Sequence, residues 1–308
     1  MGAPKQKHAG LFRSKVMRVT DVDFNGRPIY GEDSVIVTNG QISVAFTGNI
    51  AEGEVIEGIN GNGDRCWYEP ADPTFSGYNI DATFCNVDFA LFKKLTGHDV
   101  VLNDDGTIVG IEEGSTVVLS NVNVAIELWT GAKSDTAPRE GAEGDWGYIL
   151  TPFVRGGTIS DITVENAGIT FGVTGMTTKK GNNWGSGPYA VDLVNGEAAP
   201  LFQPVKKTAF RRVTTVEIAP PEVYEGPVPL LDPTKPALTD ITATPTGLSV
   251  ALSPTPVGTD PVWYDFGDGV WDYAATGSYN YTYDAAGTYT ITARRGSSVV
   301  TKDVTVTA

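Results

Sequence analysis

The side chains able to do chemistry in this chain are few and scattered. Histidine occurs twice, His8 near the start and His98. A zinc site or a histidine-based triad needs more convergent partners than these two supply. Ser186 lies among glycines in Trp184-Gly185-Ser186-Gly187-Pro188, without the G-x-S-x-G spacing of a nucleophile elbow. Gly58 to Asp64 has the composition of a calcium loop but lacks the spaced carboxylates of an EF-hand. Paired carboxylates hydrolyse glycosides without histidine, and Glu52, Glu54, Glu57, Glu112, Glu113, Glu140, Glu143 and Asp145 are the candidates. They sit in glycine-rich, turn-like segments and read as solvated surface. Asp265 and Asp268 suit either a calcium ion or the backbone amides of their own turn, and the turn is the reading adopted. The expectation is therefore a chain with no catalytic, cofactor-binding or metal-binding residue: not an enzyme.

The composition points the same way. The 308 residues are enough for about two domains with their own cores. Gly 36, Pro 19 and only 19% charged residues describe a turn-rich β protein. A net charge of −15 argues against a nucleic-acid grip, which needs clustered Lys and Arg. Residues 237–308 carry −4 of it and residues 1–236 carry −11. Cys66 and Cys85 give no disulfide framework; one bridge is possible, but the reading is two free thiols in a reducing compartment. The start, with Lys5, Lys7, Arg13, Lys15 and Arg18, lacks the apolar run of a secretory signal. No stretch approaches the ~20 apolar residues of a membrane helix, so a soluble protein made in the cytoplasm, without membrane insertion, is expected.

Strand signals dominate the elements that must position these residues. Val35 to Phe46 reads as a hairpin with Asn39-Gly40 at its tip, since Asn-Gly tolerates the positive φ of a type I′ turn. Asn121 to Leu128 alternates, with its apolar side chains on one face. Ile159 to Glu165 and Ile169 to Gly175 form a pair turning near Asn166-Ala167-Gly168, and Glu197 to Phe210 and Arg212 to Ile218 are weaker strands. One helix spans about 86–96. Asn86 is its N-cap and Gly97 its left-handed C-cap, Asp88 lies in the first turn, and Phe89, Phe92 and Leu95 form one buried stripe. Residues 219–236 hold six prolines and read as a semi-rigid spacer; an edge segment ordered along the first domain is the alternative.

After the prolines, Trp263-Tyr264-Asp265-Phe266-Gly267-Asp268-Gly269 leads to Tyr281-Thr282-Tyr283 and then to Gly287-Thr288-Tyr289-Thr290-Ile291. Residues 237–308 resemble a PKD-type immunoglobulin-like module, with Tyr281 where that family usually has His and Ile291 where it has Val. Trp263, Phe266 and Tyr289 are expected in its core. Such modules bind and display.

Three segments of the larger part carry a second resemblance. Tyr78 to Gly97 runs strand into helix and ends Leu95-Thr96-Gly97. Trp146 to Gly157 contains Thr151-Pro152-Phe153-Val154-Arg155-Gly156-Gly157. Ile162 to Phe171 is followed by Trp184-Gly185-Ser186-Gly187-Pro188-Tyr189. Together they resemble the major tail tube proteins of long-tailed, siphovirus-type phages of actinobacteria, over most of residues 20–216.

The resemblance implies a mainly β chain. An N-terminal arm (1–19) precedes a tail-tube β-sandwich or barrel (20–218) with one packed α-helix. The proline-rich linker (219–236) and a small immunoglobulin-like sandwich (237–308) follow. It implies a structural virion protein that self-assembles into stacked hexameric rings, forming the tube through which DNA passes during ejection. Tape measure and tail-end proteins are its implied partners, and the host cytoplasm its place of assembly. The arm and the long loop Gly48 to Gly77 are the candidate bridges between rings. An acidic lumen would let DNA slide without being held. The last domain would be displayed outside, in contact with cell-surface glycans. The alternative function is a carbohydrate-binding adhesin or accessory surface-binding protein.

Overall fold

The computed structural model describes residues 10–86, 88–104, 106–133, 146–160, 170–232, 238–257, 262–267, 271–295 and 298–307. Strands β1 (Gly10–Asp21), β2 (Gly31–Thr38), β3 (Gln41–Ala51), β4 (Ile56–Ile59), β5 (Arg65–Glu69) and β6 (Thr74–Phe84) lead into helix α1 (Phe89–Thr96). Next come β7 (Asp99–Leu102), β8 (Ile108–Glu112), β9 (Asn123–Lys133), β10 (Trp146–Arg155), β11 (Thr158–Ile159) and β12 (Phe171–Thr178). Short strands β13 (Asp192–Val194), β14 (Glu197–Ala199), β15 (Arg212–Val216) and β16 (Val228–Leu230) follow. The chain is mainly β, as expected, with one α-helix among the described residues.

Ten strands form one antiparallel sheet, in the order β16-β2-β1-β9-β10-β12-β6-β3, with β15 on β10 and β11 on β12. The sheet folds over at β10, whose first half (Trp146–Leu150) pairs with β15 and whose last two residues pair with β12. The ladder to β9 is broken between Thr151 and Val154, around Pro152. Proline cannot donate to a ladder, so a bulge is where a strand interior tolerates it. The main core lies between the two layers and includes Met17, Val19, Ile36, Ile80, Phe84, Val124, Ile126, Leu128, Val173 and Met176.

Strand β9 shows why one layer is buried on both faces. Val124, Ile126 and Leu128 point into the main core, while Ala125 and Trp129 enter a second core with Tyr148, Leu150, Trp184, Leu201 and Val205. The one-sided alternation expected for 121–128 is therefore incomplete. The segment from Trp184 to Val205 covers the second face.

The expected Asn39-Gly40 hairpin does not form. β2 pairs with β1 and β3 pairs with β6, at opposite ends of the sheet order. Gly40 lacks the positive φ of a type I′ turn. It carries the chain from one layer to the other, with its carbonyl accepting the Cys85 N–H at 2.9 Å.

The helix begins later than expected. Asp88, not Asn86, is the N-cap: its Oδ1 accepts the Leu91 N–H at 2.9 Å. The Phe92 N–H already reaches the Asp88 carbonyl at 3.0 Å, so the first helical ring closes on Asp88. Gly97, at φ 76°, closes the helix as expected. Phe92 and Leu95 are buried with Leu91 and Ala90, whereas Phe89 is only half-buried.

Two expected flexible segments are partly structural. Residues 10–19, expected in a loose arm, belong to β1, a central strand; residues 1–9 lie outside the described residues. Within the proline-rich stretch, Val228–Leu230 pairs with β2 as an edge strand and is buried. That fits the ordered edge segment rather than a free spacer. In the weak-strand region, only 197–199 and 212–216 are extended. The turn near Asn166 lies outside the described residues.

The C-terminal residues form two facing sheets around their own core. One contains β17 (Asp240–Thr246), β18 (Ser249–Thr255) and β21 (Tyr279–Thr282). The other contains β20 (Trp271–Ala274), β19 (Val262–Asp265), β22 (Gly287–Arg295) and β23 (Ser298–Val306). Tyr264, Phe266, Tyr283, Ile291 and Ala293 fill the interior, with Tyr289 packed against them. Trp263, expected in this core, is buried on the opposite face of its sheet against Tyr273, ring centroids 5.2 Å apart.

Candidate functional site

Among the described residues, those considered for catalysis do not converge. His98 Nδ1 accepts the Gly114 N–H at 3.3 Å, a link across the open end of the β7–β8 hairpin. His8, Glu140, Glu143, Asp145 and Asp268 lie outside the described residues. Asn60 Oδ1 accepts the N–H groups of Asn62 (3.0 Å) and Asp64 (2.8 Å), so the loop considered for calcium is a self-bonded turn. Asp265 Oδ1 accepts the Gly267 N–H at 2.9 Å. Among the described residues, no group of three metal-ligating side chains comes together. Cys66 and Cys85 are free, exposed thiols.

What the fold does present is a long open edge and an arm. Among the described residues, β3 pairs with β6 on one side only, so it ends the sheet path. Its outer edge runs eleven residues with Ile42 and Ile50 exposed. Beyond Ala51 and before Thr74, the chain continues as the two-stranded hairpin β4–β5, pairing Ile56 with Glu69 and Glu57 with Tyr68. The segment expected as a long loop is therefore a β-arm.

Almost every arm residue is exposed, including Val55, Ile56, Ile59, Trp67 (55%) and Tyr68 (49%). Trp67 lies across Gly58: a Cβ there would meet its Nε1 at 2.2 Å, so glycine is needed for this packing. On the other face the Arg65 guanidinium sits 4.4 Å over the Tyr68 ring and 3.3 Å from Glu57. The readable signal was Asn60-Gly61 flanked by short apolar runs.

On the outward face of β3–β6–β12 the described residues of the cross-strand rows are exposed or half-buried, except Gly172, which is buried beneath Ser160. Val44, Phe46, Ile80, Ala82, Val173 and Met176 face the core, so their chain neighbours point away. Cross-strand rows there run Ser43–Thr83–Gly172, Ala45–Asp81 and Thr47–Asn79–Thr177. All are small or uncharged except Asp81, whose Oδ1 accepts the Gly175 N–H at 2.9 Å. Arg155, paired with Thr177, stands at the rim.

These surfaces hang on a rigid centre. Arg18 Nε and Nη2 donate to Glu127 at 2.6 and 2.7 Å, and Tyr148 Oη donates to the same carboxylate at 2.5 Å. The guanidinium lies 3.3 Å from the Tyr189 ring centroid. Burial, then the neighbouring Glu127 charge, pushes the Tyr148 phenol far up; burial also raises Tyr189. Burial would lower Arg18, but the Glu127 charge and hydrogen bonds outweigh it and raise it. The group is a buried ion pair flanked by two phenols whose ionisation burial opposes.

No helix of the described residues is long and apolar enough to cross a membrane. Compared with known proteins, the chain matches no protein-family model and no curated protein sequence.

Proposed function

We propose that this chain is the major tail tube subunit of a long-tailed phage, a non-enzymatic virion protein that assembles into stacked hexameric rings. The observation that carries the reading is the open edge of β3 running into an arm without a core. A lone two-stranded hairpin is marginal in water, and a long unpaired edge invites pairing with another chain. Both conditions are relieved if neighbouring copies cover them. Heterologous contacts close a ring in one direction and extend an open stack in the other, which is the geometry of a tube.

In this reading the outward face of β3–β6–β12 lines the lumen. It differs from the acidic lining expected from overall charge, because among the described residues of its cross-strand rows Asp81 is the single carboxylate. Apart from Arg155 at the rim, the described residues of these rows offer phosphate no cationic anchor, so DNA passes without being held. The tape measure protein would occupy the same lumen before ejection, tail-end proteins would cap the tube, and assembly would take place in the host cytoplasm. The immunoglobulin-like sandwich would stand outside.

Negative-stain electron microscopy of the purified chain tests this reading: tubes or six-fold rings are expected, and a persistent monomer contradicts it. A second reading, a carbohydrate-binding adhesin, is favoured by Tyr273, 43% exposed beside Trp263. Binding of the chain to a glycan array, with no assembly, would favour it instead.

A further inference from the structure

The arm is strongly acidic. Between Ala51 and Pro73 it carries Glu52, Glu54, Glu57, Asp64, Glu69 and Asp72 against the single cation Arg65. Glu57 is engaged with Arg65, while Glu52, Glu54, Glu69 and Asp72 form no ion pair among the described residues.

The same chain builds an opposite patch. Residues 171–216 contain six cations, Lys179, Lys180, Lys206, Lys207, Arg211 and Arg212, against two carboxylates, Asp192 and Glu197. Fully buried Asn182 clamps its own segment to residues 206–209. Its Nδ2 donates to the carbonyls of Lys206 (3.0 Å), Lys207 (3.3 Å) and Ala209 (3.0 Å). The Gly181 N–H reaches the Lys207 carbonyl at 3.1 Å. Lys180, Lys206 and Lys207 are exposed and form no ion pair among the described residues. Phe202, 74% exposed, stands four residues before Lys206 and offers an apolar contact.

From this complementarity we infer that the acidic β4–β5 arm of one copy docks on the Lys180–Lys206–Lys207 patch of a second copy, its exposed Trp67 and Ile59 meeting apolar surface such as Phe202. The inference rests on the self-assembly reading and names the partner surface within it. Asp192, beside Phe202, and Glu197 form no ion pair with Lys180, Lys206 or Lys207 among the described residues, and the arm of a second copy supplies the balancing charge. Opposed patches of this kind set partner choice and register. Their contribution is screened by salt over about 8–10 Å, so assembly is expected to weaken as ionic strength rises.

The test mixes isotopically light and heavy full-length protein, treats it with a zero-length carbodiimide that joins touching carboxylates and amines, and maps the linked peptides. Light–heavy links between the arm carboxylates and Lys180, Lys206 or Lys207 are expected. In parallel, E52K/E54K/E69K and K180E/K206E/K207E are expected each to reduce the assembled fraction at least about tenfold, because like charges then face each other. Combining all six reversals should restore assembly. Folding is checked by circular dichroism, and both triple variants change only exposed side chains.

Tubes without these links, or folded single-side variants that assemble normally, overturn the inference and leave the tube reading standing. Links without tubes support the inference and contradict the tube. If patch reversal instead removes DNA retention while assembly is unchanged, the patch is a nucleic-acid surface and the inference fails.

Discussion

Arg18 and Glu127, 109 positions apart, meet in a two-point hydrogen bond at 2.6 and 2.7 Å inside the protein. The contact fixes β1 against β9, since Arg18 is also the backbone partner of Glu127 in that ladder. It places a paired charge between the sheet and the segment that covers its second face, with Tyr148 satisfying a further carboxylate lone pair. Breaking one side of such a pair leaves an uncompensated buried charge. Glu127→Ala should therefore cost about 3–5 kcal/mol. Arg18→Met combined with Glu127→Leu should cost clearly less than the two single changes together, in a urea-denaturation double-mutant cycle. Simple additivity would contradict a coupled pair.

Tyr264 sets an alkaline limit on the C-terminal sandwich. Its hydroxyl donates to the Gly277 carbonyl at 2.6 Å, and burial pushes its pKa up to about 12 from 10.0. The folded pKa is raised, so the stabilisation from the neutral phenol is complete below pH 10 and is lost as pH climbs from 10 towards 12. Tyr264→Phe should lose about 1 kcal/mol at pH 7 through the missing hydrogen bond. Its deficit should shrink or reverse above pH 10. Melting curves at pH 7 and pH 11 decide this.

Asp88 divides capping from charge. Burial raises its carboxyl above 3.8, opposed by the amides of Leu91 and Ala90. With a raised folded pKa, the contribution of this group is fully present below 3.8 and declines as pH rises through the folded value. Asp88→Asn keeps an acceptor for the Leu91 amide and should be at least as stable as the parent at pH 7, its advantage vanishing near pH 4. Asp88→Ala should lose about 1 kcal/mol of stability at both values, read by thermal melting.

The proposed lumen face, lined by hydroxyls and amides, gives a third kind of prediction. Thr47→Lys and Thr83→Lys place cations on the outward face of β3–β6 without touching the core. Tubes should form normally but retain duplex DNA at low salt, with retention falling steeply as salt rises. The parent tube should retain none. Equal retention by parent and variants would remove this face from the lumen.

Much of the fold was legible where local rules act alone. Gly97 closes the helix because glycine takes the left-handed φ of 76° without a Cβ penalty, and Tyr289, Ile291 and Ala293 keep to one side of β22. Partner choice was not legible. Asn39-Gly40 has the composition of a hairpin tip, yet β2 and β3 find other strands, since the same alternation suits either pairing. Trp263 and Tyr264 are adjacent aromatics, and composition alone does not say which of the two faces inward. Burial of Glu127 depends on a covering segment more than fifty residues away. The arm was visible as polar and glycine-rich, but its pairing and its complement at Lys180 and Lys206 are properties of the folded chain.

The central claim is that the β3 edge and its arm are surfaces between copies. Helical reconstruction of assemblies of the full chain by cryo-electron microscopy tests it most directly. The account predicts six subunits per ring, β3 covered by a neighbouring copy, and Thr47, Asn79 and Thr83 turned to the lumen. A chain that stays monomeric at every concentration and salt, or a tube with β3 bare and this face turned outward, would contradict it.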